Sequence, residues 1–320
     1  MAEYTENLNL FEPGTDDNIG IEESLKTNFD RIDEKLGDSL KMPDGKTKTT
    51  LGQRLNEMLE ETKTLQTQMK DEMNEEFNKV VDDAMVGSLA SRGAARFAPE
   101  NTLAAFYAAF AGGFWGIRTD IRMTKDKEFV CLTDATIDRT SSSTGNVADK
   151  NLAELKAMDF GSWYMEIYTG ERIPTMSQFL EFCHDYNMIA YLEIPITLTV
   201  TEIESLISKI NEKGMINSVA IVCFDFGLLK NIRDLYPRVA IGYGSGLMNQ
   251  TAIDRVKELK RAFLYTNITQ ITTANMKLST KSNVKVDAYT LLETKFEEIE
   301  NAVRRGVRRV TSRKHNYHPF

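Results

Sequence analysis

From about residue 86 onward, short runs of β-branched and aromatic residues alternate with amphipathic stretches of helical period, and that alternation leaves few folds open. Strands are expected at 86–90, 116–123, 128–133, 189–194, 218–224, 238–243, 284–290 and 307–312. Helices are expected at 102–111, 151–158, 176–186, 201–213, 227–235 and 295–305. A strand followed by a helix and another strand is the unit of a parallel sheet. Eight such strands over about 230 residues predict a (β/α)8 TIM-type barrel. Ala262–Asn267 is a spare strand candidate, which leaves the strand count open.

Residues 1–86 read differently. Residues 1–20 are polar and turn-rich, with Pro13-Gly14 and Asn18-Ile19-Gly20. Ile21, Leu25, Phe29, Ile32 and Leu36 share one face of a helix over 21–37, which Gly37 stops, and a basic loop follows over Lys41–Thr50. A long helix is expected over 51–85, where Leu55, Met58, Thr62, Leu65, Met69, Met73, Phe77 and Val80 fall about 3.5 residues apart. Its narrow apolar stripe between charged faces cannot be buried by one helix alone, so a coiled-coil stalk, as a homotrimer, is expected; packing back on the barrel is the alternative. The domains are thus 1–50, 51–86 and 87–320. Charge divides the same way: residues 1–86 carry about −11 and residues 87–320 about +3 within a net −8. No apolar run is long enough to span a membrane and the opening residues lack a secretory pattern, so no membrane contact and no export signal are expected. Cys131, Cys183 and Cys223 have no metal-ligand or pairing rhythm and are expected as buried thiols, made in a reducing cytoplasm.

The barrel segment carries a series of short motifs in order. Ser91-Arg92-Gly93 and Ala98-Pro99-Glu100-Asn101-Thr102 come first, then Asp120, Lys125-Asp126, Asp134 and Ile137-Asp138-Arg139-Thr140. Asp159-Phe-Gly-Ser-Trp163, Gly170-Glu-Arg-Ile-Pro174-Thr175, Leu192-Glu193-Ile194, Ala288-Tyr289-Thr290 and Gly306-Val307 complete it. Each is weak alone; their order and spacing resemble the glycerophosphodiester phosphodiesterase family over roughly residues 87–316. That resemblance implies a barrel whose mouth hydrolyses glycerol phosphodiesters, with two histidines as general acid and base and a divalent cation held by carboxylates.

Placed on that pattern, this chain departs from it at the chemistry. The two histidine positions are Ser91 and Thr133, and neither hydroxyl titrates near neutral pH. The metal-binding pair of acids becomes Arg118 and Asp120, the third carboxylate stays as Glu193, and the usual lysine becomes Pro195. No catalytic residue is therefore assigned. Asp120 and Glu193 are a residual metal pair, and no cofactor is expected, with Ca or Mg only if that pair still binds. Arg118 and Asp120 project to the same side of a strand. The Arg118 guanidinium is expected to pair with Asp120 and Glu193 in the cation's place, either plugging the site or joining Arg92 to hold a phosphate. Arg313, at a usual aspartate position, is a further ligand candidate, and Trp163 either stacks on a glycerol or sugar unit or lids the core. His184 is expected on a helix surface, and His315 and His318 in the C-terminal tail. Arg304, Arg305, Arg308 and Arg309 point in different directions, and no nucleic-acid partner is expected.

Residues Asn7–Asp17 and Asn28–Asp33 resemble the N-terminus of tail and baseplate proteins of phages that infect Gram-positive bacteria. That resemblance implies attachment to other tail proteins through residues 1–86 and a place on the virion. Joined with the barrel, it suggests binding of a host wall teichoic acid, a glycerophosphate polymer. The alternatives are a platform without ligand and a working phosphodiesterase. A mouth filled by Arg118 favours the platform; free guanidiniums favour binding.

Overall fold

The computed structural model describes residues 87–290 and 294–312. The expected helices at 21–37 and 51–85, the trimeric stalk and the virion-attachment segment lie outside the described residues, as do Arg313, His315 and His318. The strands are β1 (Gly87–Ser91), β2 (Gly116–Met123), β3 (Phe129–Cys131), β4 (Ile189–Glu193), β5 (Val219–Cys223), β6 (Ala240–Ser245), β7 (Ala262–Asn267), β8 (Lys285–Tyr289) and β9 (Arg309–Ser312). The helices are α1 (Leu103–Ala111), α2 (Leu152–Ala157), α3 (Met176–Asp185), α4 (Val200–Glu212), α5 (Phe226–Leu235), α6 (Gln250–Leu259), α7 (Thr273–Lys281) and α8 (Phe296–Arg304).

All strands except β3 run parallel, in the order β1-β9-β8-β7-β6-β5-β4-β2, and β1 pairs with β2 to close the barrel. The expectation for 128–133 is corrected here. β3 lies antiparallel to β2, with Ile121 opposite Cys131, and is not a barrel strand. Only a tight turn links β2 to β3, whereas a parallel return needs a crossover of about a dozen residues. The spare candidate 262–267 takes the vacant place as β7, paired with β6 and β8.

Three apolar regions follow from side-chain alternation. Between strands and helices lies the main core, including Phe106 and Phe179, whose ring centroids are 4.9 Å apart. Inside the barrel, Leu89, Tyr191, Val222, Phe263 and Tyr265 form a second cluster. Under the excursion after β3, Val130, Ile137, Leu155, Phe160 and Ile173 form a third. Helix starts are set by side chains that accept orphan backbone N–H groups: Thr102 for α1, Thr175 for α3, Thr199 for α4 and Asp225 for α5. Those caps lie just past the C-terminal strand ends, so helix starts and strand ends gather at one face, the mouth.

The other pole is closed by a buried polar cluster. Tyr191 donates to Asp287 at 2.8 Å, and Arg309 donates to the Tyr191 hydroxyl at 3.0 Å with its guanidinium over the Trp115 ring. Arg309 thus points into the barrel, while Arg305 donates to the Ile271 carbonyl; the arginine run forms no common surface. A cavity of about 310 Å³ opens at this pole, lined by Trp115, Tyr191, Phe263 and Arg309 among others. It lies at the opposite end of the strands from the carboxylates described next.

Candidate functional site

Strand register assembles the site from residues far apart in sequence. Ser91 is level with Arg118 across β1 and β2, and Asp120 is level with Glu193 across β2 and β4. Residues 118 and 120 share the inward face of β2, two apart on one strand. Arg118 Nε donates to Glu193 Oε2 at 2.9 Å, and its two terminal nitrogens donate to Asp120 at 3.2 and 2.7 Å. One of those nitrogens also contacts Glu193. The guanidinium therefore bridges both carboxylates in a bidentate fork. Burial opposes its charge, but Asp120 and Glu193 more than reverse this and hold its pKa above the ordinary arginine range. Glu193 moves the other way: burial raises its pKa, and the like charge of Asp120 adds to this against the pull of Arg118. Two carboxylates share one cation at the bottom of the mouth.

A chain of hydroxyl and amide groups seals one side. Thr119 donates to the Asn101 side-chain Oδ1 at 2.9 Å, Asn101 Nδ2 donates to the Thr133 hydroxyl at 3.0 Å, and Thr133 donates to Asp120 at 2.6 Å. Thr133 is thus a fixed donor to Asp120, and no imidazole stands beside it. Asn101 holds φ +55° and Arg92 φ +61°, so the loop after β1 turns tightly back over the strand end. Gly93 makes the turn possible: it has φ +75°, and a Cβ there would lie 2.6 Å from the Ala105 backbone.

The outer rim carries a second set of cations. Arg92 donates to Glu100 at 3.0 Å and lies 3.4 Å from Asp120. Arg139, nearly half exposed, donates to Glu100 at 2.7 Å and Asp134 at 2.6 Å, and its guanidinium lies 6.0 Å from the Trp163 ring centroid. Trp163 is anchored through its ring N–H to the Phe160 carbonyl at 2.9 Å and leaves part of its face to solvent. The loop that carries it is held by Asp159, which accepts backbone N–H groups from Gly161 at 2.9 Å, Ser162 at 2.7 Å and Gly170. Partial burial works against that carboxylate, but the three donors win and hold its pKa well below the usual range. Tyr168 pins the loop further by donating to the Phe97 carbonyl at 2.7 Å.

Of the residues singled out from the sequence, Arg92, Arg118, Asp120, Thr133 and Glu193 meet at one place, with Ser91 beside Arg118 and Trp163 on the rim. Pro195 is exposed and offers no cation, and His184 stands on the surface of α3 against Asp185. The three cysteines are buried and unpaired. Glu100, Asn101 and Arg139 were not assigned as site residues, although the motifs Ala98–Thr102 and Ile137–Thr140 contain them. A divalent cation does not fit here. Asp120 and Glu193 are both bonded to Arg118, and among the described residues no three His, Cys, Asp or Glu side chains are placed to hold a metal.

The glycerophosphoryl diester phosphodiesterase family model matches residues 92–312. A glycerophosphodiester phosphodiesterase of Caldanaerobacter subterraneus subsp. tengcongensis is 33% identical over 224 residues, covering 68% of this chain and 90% of the relative. An Oleispira antarctica phosphodiesterase solved with its product sn-glycerol-3-phosphate superposes with a TM-score of 0.65 at 24% identity, over 72% of this chain and 93% of that one. A glycerophosphodiester phosphodiesterase from Agrobacterium tumefaciens gives a TM-score of 0.64 at 21% identity, over 72% and 97%. At these identities the two structures speak for the shared fold.

Proposed function

The chain belongs to the glycerophosphoryl diester phosphodiesterase family, and from that premise we propose that its barrel recognises glycerophosphate polymers without hydrolysing them. The observation that carries the non-hydrolytic half is the Arg118 guanidinium seated between Asp120 and Glu193. Changing an acid to an arginine at this position shifts the local charge by as much as a bound divalent cation would. The mouth keeps a positive centre, but one with almost all its donors committed. It has no open coordination position to polarise a phosphoryl oxygen. Nor do Ser91 and Thr133, at the family's histidine positions, supply an acid and a base near neutral pH.

A floor filled by Arg118 is the arrangement expected of a platform without ligand, so binding is proposed at the rim outside that floor. Arg92 and Arg139 stand above it beside Trp163, on a loop fixed by Asp159. Guanidiniums at this rim can exchange a carboxylate partner for a phosphate oxygen, and Trp163 offers an apolar face to a glycerol or sugar unit. The ligand class follows from the family, whose named relative is a glycerophosphodiester phosphodiesterase. The resemblance of residues 7–33 to phage tail and baseplate proteins supports the further reading that a virion carries this barrel to a wall teichoic acid. Repetition of the barrel along a trimeric stalk would multiply a weak single-site affinity.

A second reading, an active phosphodiesterase, is favoured by the name of the 33% identical relative. One experiment separates the readings. The full chain is incubated with polyglycerol phosphate and Ca²⁺, and polymer capture and glycerol phosphate release are read from the same sample. Capture without release is the expected result. Release refutes the non-hydrolytic reading, and neither capture nor release leaves a platform without ligand. In parallel, Ca²⁺ should raise the melting temperature of Arg118→Glu and leave the wild type unmoved; a wild-type shift would mean the guanidinium does not exclude the ion.

A further inference from the structure

Four successive strands begin with cations at the pole opposite the mouth. Arg238 stands two residues before β6 and Arg261 one residue before β7, while Lys285 and Arg309 are the first residues of β8 and β9. All four line the cavity of about 310 Å³ at that pole, and no Asp or Glu among the described residues lines it with them. Arg309 lies buried on its floor, where Asp287 accepts from Tyr191 at 2.8 Å and from Arg309 at 3.4 Å and offsets that charge. Arg238 and Arg261, both exposed, and the half-buried Lys285 form the rim. The lining as a whole is positive.

The rim is built into the fold. Arg233, buried on α5, donates to the Leu259 carbonyl at 2.8 Å and the Arg261 carbonyl at 3.2 Å on one side, and to the Pro237 carbonyl on the other. One guanidinium thus pins both turns that carry Arg238 and Arg261. The second turn holds Lys260 at φ +52° and Arg261 at φ +35°, a left-handed backbone that residues with a Cβ disfavour. Burial, and then the charge of Arg261, lower the Arg233 pKa to about 10, so like charges crowd this pole. An anion seated among cations held together in this way stabilises the arrangement.

The chain carries such an anion a few residues away. Gly87 is level with Arg309, donates to the Arg308 carbonyl at 2.8 Å, and lies so close to Trp115 that a Cβ there would be 2.6 Å from the ring. Trp115 and Arg309 both line the cavity. The sequence before Gly87 is acidic: over residues 71–86, Asp71, Glu72, Glu75, Glu76, Asp82 and Asp83 stand against Lys79. Asp83 is four residues from Gly87, so the chain tethers it within about 14 Å of that position. A tether this short gives an effective concentration on the order of millimolar, which favours it over a dilute anion from solution. We infer that the cationic pole docks the chain's own Asp82-Asp83, with Arg238, Arg261 and Lys285 as their partners. Docking fixes the chain where it enters the barrel and is independent of what the mouth binds.

Charge reversal in the full chain tests this, in a Trp163→Phe background that leaves Trp115, on the cavity wall, as the single indole. Reversing the acids (Asp82→Lys with Asp83→Lys) or the rim (Arg261→Asp with Lys285→Asp) should raise the unfolding equilibrium constant about tenfold and shift the Trp115 emission. All four substitutions together should bring both readouts back toward the parent, because the partners then meet with their signs exchanged. Strictly additive effects, or no effect of the acid reversal, overturn the inference. Carbodiimide coupling of the unsubstituted protein is a check that no substitution disturbs: Lys285 should be joined to Asp82 or Asp83 within one chain. Coupling between chains makes the occupant a second copy. Quenching of Trp115 by inorganic phosphate or polyglycerol phosphate, with acids and rim intact, makes the pole a site for anions from solution. Either result refutes docking by the chain's own segment.

Discussion

Arg118→Met removes the cation that bridges Asp120 and Glu193 while keeping most of the side-chain volume, and leaves Arg92 3.4 Å from Asp120. Arg118 and Asp120 are buried and the Glu193 side chain is only 14% exposed, so the two carboxylates lose their shared partner where water cannot replace it. The charged hydrogen bonds at stake include one to Glu193 at 2.9 Å and two to Asp120 at 3.2 and 2.7 Å. Summed one by one they would overstate the loss, because the carboxylates relax and take up protons. Breaking a buried pair by removing one partner costs about 3–5 kcal/mol. For a domain of this size that is about a 6–20 °C fall in melting temperature. Urea unfolding at pH 7 measures it directly. The sign with pH is also fixed. Glu193 already has a raised pKa, and without Arg118 it rises further. A carboxyl raised in the folded state favours folding while protonated, and that contribution is lost as pH rises through its folded pKa. The deficit of Arg118→Met is therefore full at pH 7 and shrinks as pH falls toward the ordinary carboxylate range. Adding Asp120→Asn and Glu193→Gln should recover most of it. A variant within about 1 kcal/mol of wild type at pH 7, against the 3–5 expected, or a deficit independent of pH, would refute the buried ion-pair account.

Asp159→Asn should loosen the loop around Trp163 without unfolding the barrel. A charged acceptor of three backbone donors is exchanged for a neutral one, a loss of about 1–3 kcal/mol confined to this segment, seen as faster amide exchange at Gly161, Ser162 and Gly170. Because the folded pKa of Asp159 is depressed, its contribution is present above the unfolded carboxylate value and is lost only as pH falls through the lower folded value, so the wild-type loop should stay protected at pH 4. Burial pushes the Cys131 thiol up to about 12 and Cys223 up to about 11, so both should resist a thiol reagent at pH 8 until the barrel is unfolded. Rapid labelling of either in the native state would contradict their burial.

The barrel was legible because alternating strand and helix periods have one economical closure. The error in strand membership shows the limit of that signal. Phe129–Cys131 and Ala262–Asn267 are both short apolar runs, and periodicity cannot rank them. What separates them is the length of the connection before each, a tight turn in one case and α6 in the other. Arg92, Arg118, Asp120, Thr133 and Glu193 could be picked out because the motifs keep their order along the chain, and the fold brings these five together. Arg139 was harder, because its role depends on a loop that folds back to bring it to Glu100, 39 residues away in sequence.

By itself the sequence determined the fold class, the family pattern, and the presence of a serine at 91, a threonine at 133 and an arginine two residues before Asp120. Those are properties of residue type and spacing, and no neighbour can alter them. Tertiary structure decided whether that arginine would lie open or committed. Register between β2 and β4 sets Asp120 beside Glu193, and two buried carboxylates draw the guanidinium between them. It also decided that Arg139 would come to Glu100, 39 residues away in sequence. In a (β/α)8 barrel every strand ends on the same side, so residues distant along the chain become neighbours around one mouth.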